Sequence, residues 1–323
     1  MTTLLRLASL RLTLAIFVVF LLGILLAHLA GLSFSPIVTA CCFLWALNLI
    51  AVLFSHGNFR RQPALLVFHL ALLVIVILVA AGRLIYLNGQ AEVLEGQAFS
   101  GRLVNFESGR FHPWSLKEAS FVNHGFQVRY APGLQRLETR NRVSWTDEQG
   151  VDQTAVIGDD KPLLLKGYRF YTTWNKGFAL IFEWQPKGQT PLLGSVNLPG
   201  YPGNALKQAQ QWKLPGLPEP VWAMLQFEGD LIPQDQEGEF RLPDDYQVVV
   251  RYGERRWELN PADSKVVDLP GGQLRYVGLT TWMGYLVTWD ATVPWLLLAS
   301  TIAVLALSGH FWQKYWRRPW NPD

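Results

Sequence analysis

No aspartate or glutamate occurs before Glu92, and only Asp323 follows Asp290. Charged residues make up 16% of the 323-residue chain, against about a quarter in soluble proteins. The deficit is local, and apolar runs of membrane-spanning length account for it. Cysteine is scarce too: Cys41 and Cys42 are the only two. They are adjacent, so they form neither the C-x-x-C of a thiol–disulfide enzyme nor the C-x-x-C-H that carries covalent haem. The pair reads as small apolar packing residues. The segment after residue 88 has no cysteine, so no disulfide braces it. Absent as well are G-x-S-x-G, H-E-x-x-H and a phosphate-cradling glycine loop, and no catalytic residue is assigned. No basic stripe of the kind that binds nucleic acid is present.

What the chain has in excess is apolar sequence. Four runs, at about 12–31, 37–54, 64–87 and 291–312, are broken only by isolated polar residues such as Thr13, His28, Thr39, Asn48, His69 and Arg83. Each has the roughly 20 residues that cross a bilayer core as a helix. The first run is longer than a signal-peptide core and has no suitably placed small-x-small cleavage site, so it reads as a retained helix. The expected organisation is three transmembrane helices within 1–87, an extracytoplasmic domain over 88–290, and a fourth helix with a cytoplasmic tail over 291–323.

Basic residues near the helix ends set the orientation. Arg6 and Arg11 precede the first run, Arg60 and Arg61 lie between the second and third, and Lys314, Arg317 and Arg318 follow the fourth. The turn at 32–36 has none. Both termini and the 55–63 loop are therefore expected in the cytoplasm, and 88–290 on the opposite face, which in a bacterial inner (plasma) membrane is periplasmic. Trp282 and Trp289 on the outer side and Trp312 and Trp316 on the inner side read as interfacial anchors in contact with membrane lipid. With eight of the 28 Lys/Arg and one of the 25 acids assigned to the membrane part, the outer segment is near −4 and the remainder near +7.

The outer segment changes period. Residues 126–130, 142–146, 167–172, 179–184, 246–252 and 273–276 alternate or are rich in β-branched and aromatic side chains, as strands are. Asp147–Gly150 reads as a hairpin turn, and 204–225 as room for a short helix. The expected fold is one or two packed antiparallel sheets, a sandwich or an open barrel. His112 and His124 read as structural, and the many tryptophans as core or interface residues rather than a ligand groove.

Ionisable side chains inside the apolar runs are the best functional clues, because lipid penalises them. His69 in the third run can present a neutral imidazole to haem iron or bond a neighbouring helix. His310 and His28 lie near interfaces, where a structural reading is favoured. Arg83, near the outer end of the third run, can snorkel to the headgroups or pair with a haem propionate.

Three helices, a large β domain and one last helix is an unusual plan, and it resembles the ResB (CcsB) proteins of System II cytochrome c biogenesis. Phe68–Phe99, with its early histidine and Glu-Gly exit, is similar to that family's third helix. Lys161–Trp174 (KPLLLKGYRFYTTW) resembles its Pro-Leu, Lys-Gly and aromatic strand phrase. Tyr285–Ser300 and the basic-aromatic tail also resemble it, although Asp290 is followed by Ala291 and Thr292 where the family commonly has Pro-Gly. The resemblance implies haem b as transient cargo, and His69 as a haem axial ligand. It implies a ResC/CcsA-type membrane partner with a tryptophan-rich haem motif, and apocytochrome c as the recipient. Trp282–Asp290 shares residue types with that motif at a different spacing and is not assigned to it. The chain is expected to act within a haem-attachment complex and not alone. His310 is the alternative second ligand, and Arg83 the propionate candidate. Two other readings are a b-type electron-transfer subunit, which usually needs more paired histidines than this chain carries, and a haem-free anchor for a periplasmic domain.

Overall fold

The computed structural model describes residues 6–55, 59, 61–158, 160–203, 206–260 and 266–316. Of the basic residues used for orientation, Arg60, Arg317 and Arg318 lie outside them, as does Asp323. Four long helices are described: α1 (Leu10–Leu29), α2 (Ser35–Ser55), α3 (Pro63–Ile85) and α4 (Val293–Tyr315). All four are long and apolar enough to cross a membrane. Their large side chains face outward in numbers that water would not tolerate, among them Leu14, Leu22, Phe43, Ile77 and Leu297. Two compact units result. One holds the four helices with Glu107–Pro113, and the other spans Gly89–Phe106 and Trp114–Thr288.

Several polar interruptions in the helices are satisfied internally, as lipid favours. Thr13 donates from its hydroxyl to Asn48 Oδ1 at 2.8 Å, and Asn48 Nδ2 donates to the Leu7 carbonyl at 2.5 Å. Thr39 returns its hydroxyl to the Ser35 carbonyl one turn back at 2.8 Å. Ser9 caps α1 by accepting from the Arg11 backbone at 3.2 Å. Proline opens α3 and α4, where its missing N–H costs nothing. At the entry to α4, Asp290 Oδ1 accepts from the Thr292 backbone at 2.8 Å and from its hydroxyl at 2.7 Å. Gly82 is buried beside these groups. A Cβ there would lie 2.8 Å from Thr292 Oγ1, so the glycine lets α3 approach the start of α4 closely.

The third helix stops before the expected end of its apolar run, because Leu87 already belongs to a strand. Its last carbonyls would be orphaned in a plain helix end. Glu107–Pro113 crosses beneath them. Phe111 N–H donates to Leu84 O at 2.7 Å and Gly109 N–H to Tyr86 O at 2.8 Å. His112 Nδ1 donates to Ile85 O at 2.9 Å, and the Ser35 hydroxyl donates to Arg83 O at 3.1 Å. The approach is so close that a Cβ on Gly109 would stand 2.2 Å from the Leu84 carbonyl carbon. His112 is thus a buried capping residue, its ring edge-on to Trp289 at 5.0 Å.

The β-rich unit is built from β1 (Leu87–Leu94), β2 (Asn105–Ser108), β3 (Val122–Ala131), β4 (Gln135–Thr146), β5 (Asp152–Gly158), β6 (Leu163–Leu165), β7 (Tyr168–Pro186) and β8 (Leu192–Asn197). It continues with β9 (Ala209–Trp212), β10 (Val221–Gln226), β11 (Gly238–Glu239), β12 (Gln247–Tyr252), β13 (Arg255–Leu259), β14 (Val266–Leu269) and β15 (Gly272–Trp289). Among the described residues these form three sheets, where one or two were expected. One has the order β2-β1-β15-β7-β6, with β14 on β15 and β8 on β7. The second has β13-β12-β10-β9 and the third β11-β3-β4-β5. The long strands β7 and β15 pair antiparallel along most of their length. Phe178, Leu180, Phe182 and Trp184 of β7 meet Leu274 and Tyr276 of β15, Val221 and Val248 of the second sheet, and Val128 of the third in one core.

All six expected strand segments fall in strands except for their leading residues Gly167 and Tyr246, and 168–172 and 179–184 are parts of the single strand β7. The expected helix within 204–225 is replaced by β9 and β10; its first two residues, Asn204 and Ala205, lie outside the described residues. Trp282 is not an interfacial anchor. It is buried in β15, and its Nε1 donates to the Leu198 carbonyl at 3.1 Å. The Asp147–Gly150 turn is as expected: Asp147 Oδ1 accepts from the backbones of Gln149 (3.0 Å) and Val151 (2.9 Å). The Lys-Gly pair of the Lys161–Trp174 phrase also has a physical role. Lys166 (φ 50°) and Gly167 (φ 82°) are the two left-handed residues of the hairpin turn joining β6 to β7.

Candidate functional site

His69 sits in the second turn of α3, half-buried between the rings of Phe59 (4.8 Å, edge-on) and Phe68 (5.3 Å). Its Nδ1 lies 2.8 Å from the Leu65 carbonyl one turn earlier. A carbonyl only accepts, so Nδ1 carries a proton, and in the neutral imidazole Nε2 keeps its lone pair. An imidazole that donates through one nitrogen to a backbone carbonyl is oriented and made more basic at the other, as metal-ligating histidines are. The donor chemistry at His69 therefore fits axial ligation of haem iron, with aromatic and aliphatic neighbours to pack a porphyrin.

The other sequence candidates are differently placed. His310 in α4 is half-buried with its ring 5.5 Å from Phe311. Helices α3 and α4 pack together, but among the described residues no hydrogen bond or ring contact joins His69 to His310. His28 is exposed and near-parallel to the Phe34 ring at 6.4 Å. Arg83 is exposed, with its guanidinium 5.3 Å from the centroid of the Tyr86 ring. Glu107, from the crossing segment, is held below the usual carboxylate range by the Ser33 hydroxyl first, then by Tyr86 and the Arg83 charge. Arg83 thus has a structural setting of its own at the end of α3. Cys41 and Cys42 are both buried and unpaired with each other, in keeping with a packing role. Among the described residues no cluster of three or more His, Cys, Asp or Glu could hold a metal ion.

Sequence reading missed a polar network inside the β-rich unit. Tyr285 donates its hydroxyl to Asn141 Oδ1 at 2.7 Å. Asn141 Nδ2 donates to Asn123 Oδ1 (2.7 Å) and to the Gly125 carbonyl (2.8 Å), and Asn123 Nδ2 donates to the Val93 carbonyl at 2.9 Å. Four strands, β1, β3, β4 and β15, are tied by these three side chains. Nearby, the Thr281 hydroxyl donates to Glu95 Oε2 at 2.7 Å, and Glu95 N–H donates back to Thr281 O at 2.9 Å. That pair fixes the Glu-Gly turn at the end of β1. Single asparagines in alternating segments give no sequence signal of burial, so only the resemblance of Phe68–Phe99 and Tyr285–Ser300 to a known family marked parts of this region.

Four apolar helices long enough to cross a bilayer, with a large antiparallel β unit between the third and the fourth in sequence, define a membrane protein with a large non-helical unit. Residues 52–208 match the model of the ResB-like family, and the match supports assigning the chain to the ResB/CcsB family. That family is associated with cytochrome c biogenesis. The matched region begins within α2 and takes in all of α3, His69, Asn123, Asn141 and the Lys166–Gly167 turn. No curated protein matches the chain.

Proposed function

We propose that this protein is a membrane component of cytochrome c assembly, holding haem b as transient cargo for covalent attachment to apocytochrome c outside the cytoplasm. It works with a ResC/CcsA-type partner that carries the tryptophan-rich haem motif. The observation that carries the reading is His69, inside the family-matched region, with Nδ1 bonded to Leu65 O at 2.8 Å. His69 supplies one axial nitrogen to the iron. The second comes from the partner, with His310 as the intrachain alternative. The chain acts within a haem-attachment complex with that partner and not alone.

Deleting the gene is expected to abolish covalent haem attachment to secreted c-type cytochromes while the apoproteins are still made. Haem staining of membrane and secreted fractions, beside immunodetection of the apoprotein, makes the measurement. Normal holocytochrome in a strain without a second copy contradicts the reading.

The orientation belongs to the same proposal: both termini in the cytoplasm, the β-rich unit in the periplasm, in a bacterial inner membrane. Basic residues at the helix ends support it. A reporter active only outside the cytoplasm is expected to work when fused after Gly150. Fused after Asn58 or Asp323, both outside the described residues, it is expected to be silent, and activity at Asn58 contradicts the assignment.

A further inference from the structure

Most large rings between α3 and α4 are interior. Among the described residues of that region only four Phe, Tyr or Trp side chains are exposed: Phe106, Phe111, Trp114 and Trp174. Three of the four fall within 106–114, and Val104 just before them is 63% exposed. A single exposed apolar residue is ordinary, but a run of rings concentrated in one short segment marks a contact surface. Phe106 and Trp114 meet edge-on with ring centroids 5.3 Å apart, yet they stay 56% and 50% exposed. Trp114 stands on a left-handed backbone (φ 55°), which is rare for so bulky a residue. Outliers of this kind persist where the surrounding structure enforces them, and they gather at functional positions.

The chain itself says what covers this run. Glu107–Pro113 is bonded to the last turn of α3, through Phe111 N–H to Leu84 O and Gly109 N–H to Tyr86 O. With 23 residues at about 1.5 Å each, α3 is long enough to cross a hydrocarbon core about 30 Å thick. The segment that caps its end therefore lies where the helix leaves the hydrocarbon. Phe106 and Trp114 are each one peptide bond from that segment, so they stay near the same boundary. The charges fit a phosphate layer. Arg102, Arg110 and Lys117 are exposed around the rings, and among the described residues no ion pair engages them. The acids of the stretch are Glu107, which accepts from the Ser33 hydroxyl, and Glu118. The Arg110 guanidinium lies 5.9 Å from the Phe111 ring centroid. Aromatic rings interleaved with cations are the composition of segments that sit in the bilayer interface.

We propose that 104–114 is a lipid-binding loop, with Phe106, Phe111 and Trp114 inserted among the phospholipid headgroups and upper acyl chains at the end of α3. The partner is the bilayer surface and not another protein. The proposal rests on α3 crossing the membrane. It holds for either orientation of the chain and does not depend on haem ligation by His69.

The test uses the full-length protein in vesicles of phosphatidylcholine and phosphatidylglycerol, with Cys41→Ala and Cys42→Ala to remove background labelling. A nitroxide is attached at Phe106→Cys or at Phe111→Cys, both exposed positions. Electron spin resonance then reads its collisions with oxygen, which partitions into lipid, and with a water-soluble nickel chelate. A label at Val304→Cys, exposed on α4, sets the lipid value, and one at Val151→Cys, beside the Asp147–Gly150 turn, sets the aqueous value. The ratio of oxygen to nickel collisions is expected to be at least about threefold above the Val151 value at both positions, with an unchanged melting temperature. If one labelled variant does not fold, the other keeps the test intact. A lower ratio in a folded variant overturns the proposal, because the loop then faces water. A label shielded from both reagents overturns it too, because a second copy or another protein surface then covers the loop in place of lipid.

Discussion

Replacing Asn141 by leucine is expected to destabilise the β-rich unit by roughly 4 kcal/mol, more than any other single polar change in it. The side chain is fully buried and makes three hydrogen bonds, to Tyr285, Asn123 and the Gly125 carbonyl. Leucine keeps the branched outline and the number of heavy atoms, so the loss is chiefly one of hydrogen bonding. It leaves the Tyr285 hydroxyl, the Gly125 carbonyl and part of Asn123 without partners in a water-free interior, at about 1–3 kcal/mol each. Tyr285 cannot escape by ionising, because burial raises its pKa well above the ordinary phenol value. Tyr285→Phe removes the donor and leaves only one unmet acceptor, so it is expected to cost about 1–2 kcal/mol. The double variant is expected to lose less than the sum, since the two residues share a bond. In a thermal melt followed by circular dichroism, Asn141→Leu lowers the midpoint by about 10 °C on the usual scaling for a unit of this size. A midpoint within about 2 °C of wild type contradicts the network's role.

How much of this was legible in the sequence follows from the kind of signal each element carries. The four helices were legible because lipid demands long uninterrupted apolar runs, and few other structures produce them. Their ends were less so. Tyr86 and Leu87 continue the apolar run of α3, but Tyr86 caps the helix and Leu87 starts β1, and hydrophobicity alone does not separate a helix end from a buried strand. The same ambiguity explains 204–225. Val221–Leu225 is a short apolar run that either structure accepts, and antiparallel pairing with Gln247–Arg251 decides for strand. Strand β7 was seen as two pieces because Trp174-Asn-Lys-Gly177 does not alternate. The register shift between Met283 and Tyr285 on the facing strand β15 absorbs the irregularity and keeps both strands continuous. The same non-alternating stretch leaves Trp174 exposed and Lys176 buried. Of the site, the sequence showed His69 as an ionisable group inside an apolar run. It did not show the tautomer, which depends on a contact to Leu65 O.

Substituting His69 by alanine is expected to remove haem from the complex of this chain with its partner, at an occupancy loss of more than about tenfold. The imidazole is fixed by Leu65 O and bracketed by Phe59 and Phe68, so a neutral Nε2 is available at a defined position along α3. Alanine removes the ligand without breaking the helix, since it has the best helix propensity and the half-buried position demands no large side chain. The protein level is therefore expected to stay unchanged. Among the described residues no hydrogen bond or ring contact joins His310 to His69, and His310→Ala is expected to leave the haem nearly intact. Purified alone, the chain is expected to hold little haem, because it supplies only one of the two nitrogens.

The decisive measurement is the absorption spectrum and haem content of the purified two-protein complex, compared between wild type, His69→Ala and His310→Ala at matched expression. The account predicts a bis-histidine spectrum in the wild type, kept in His310→Ala and lost in His69→Ala. A wild-type haem content in His69→Ala, with expression unchanged, would contradict it.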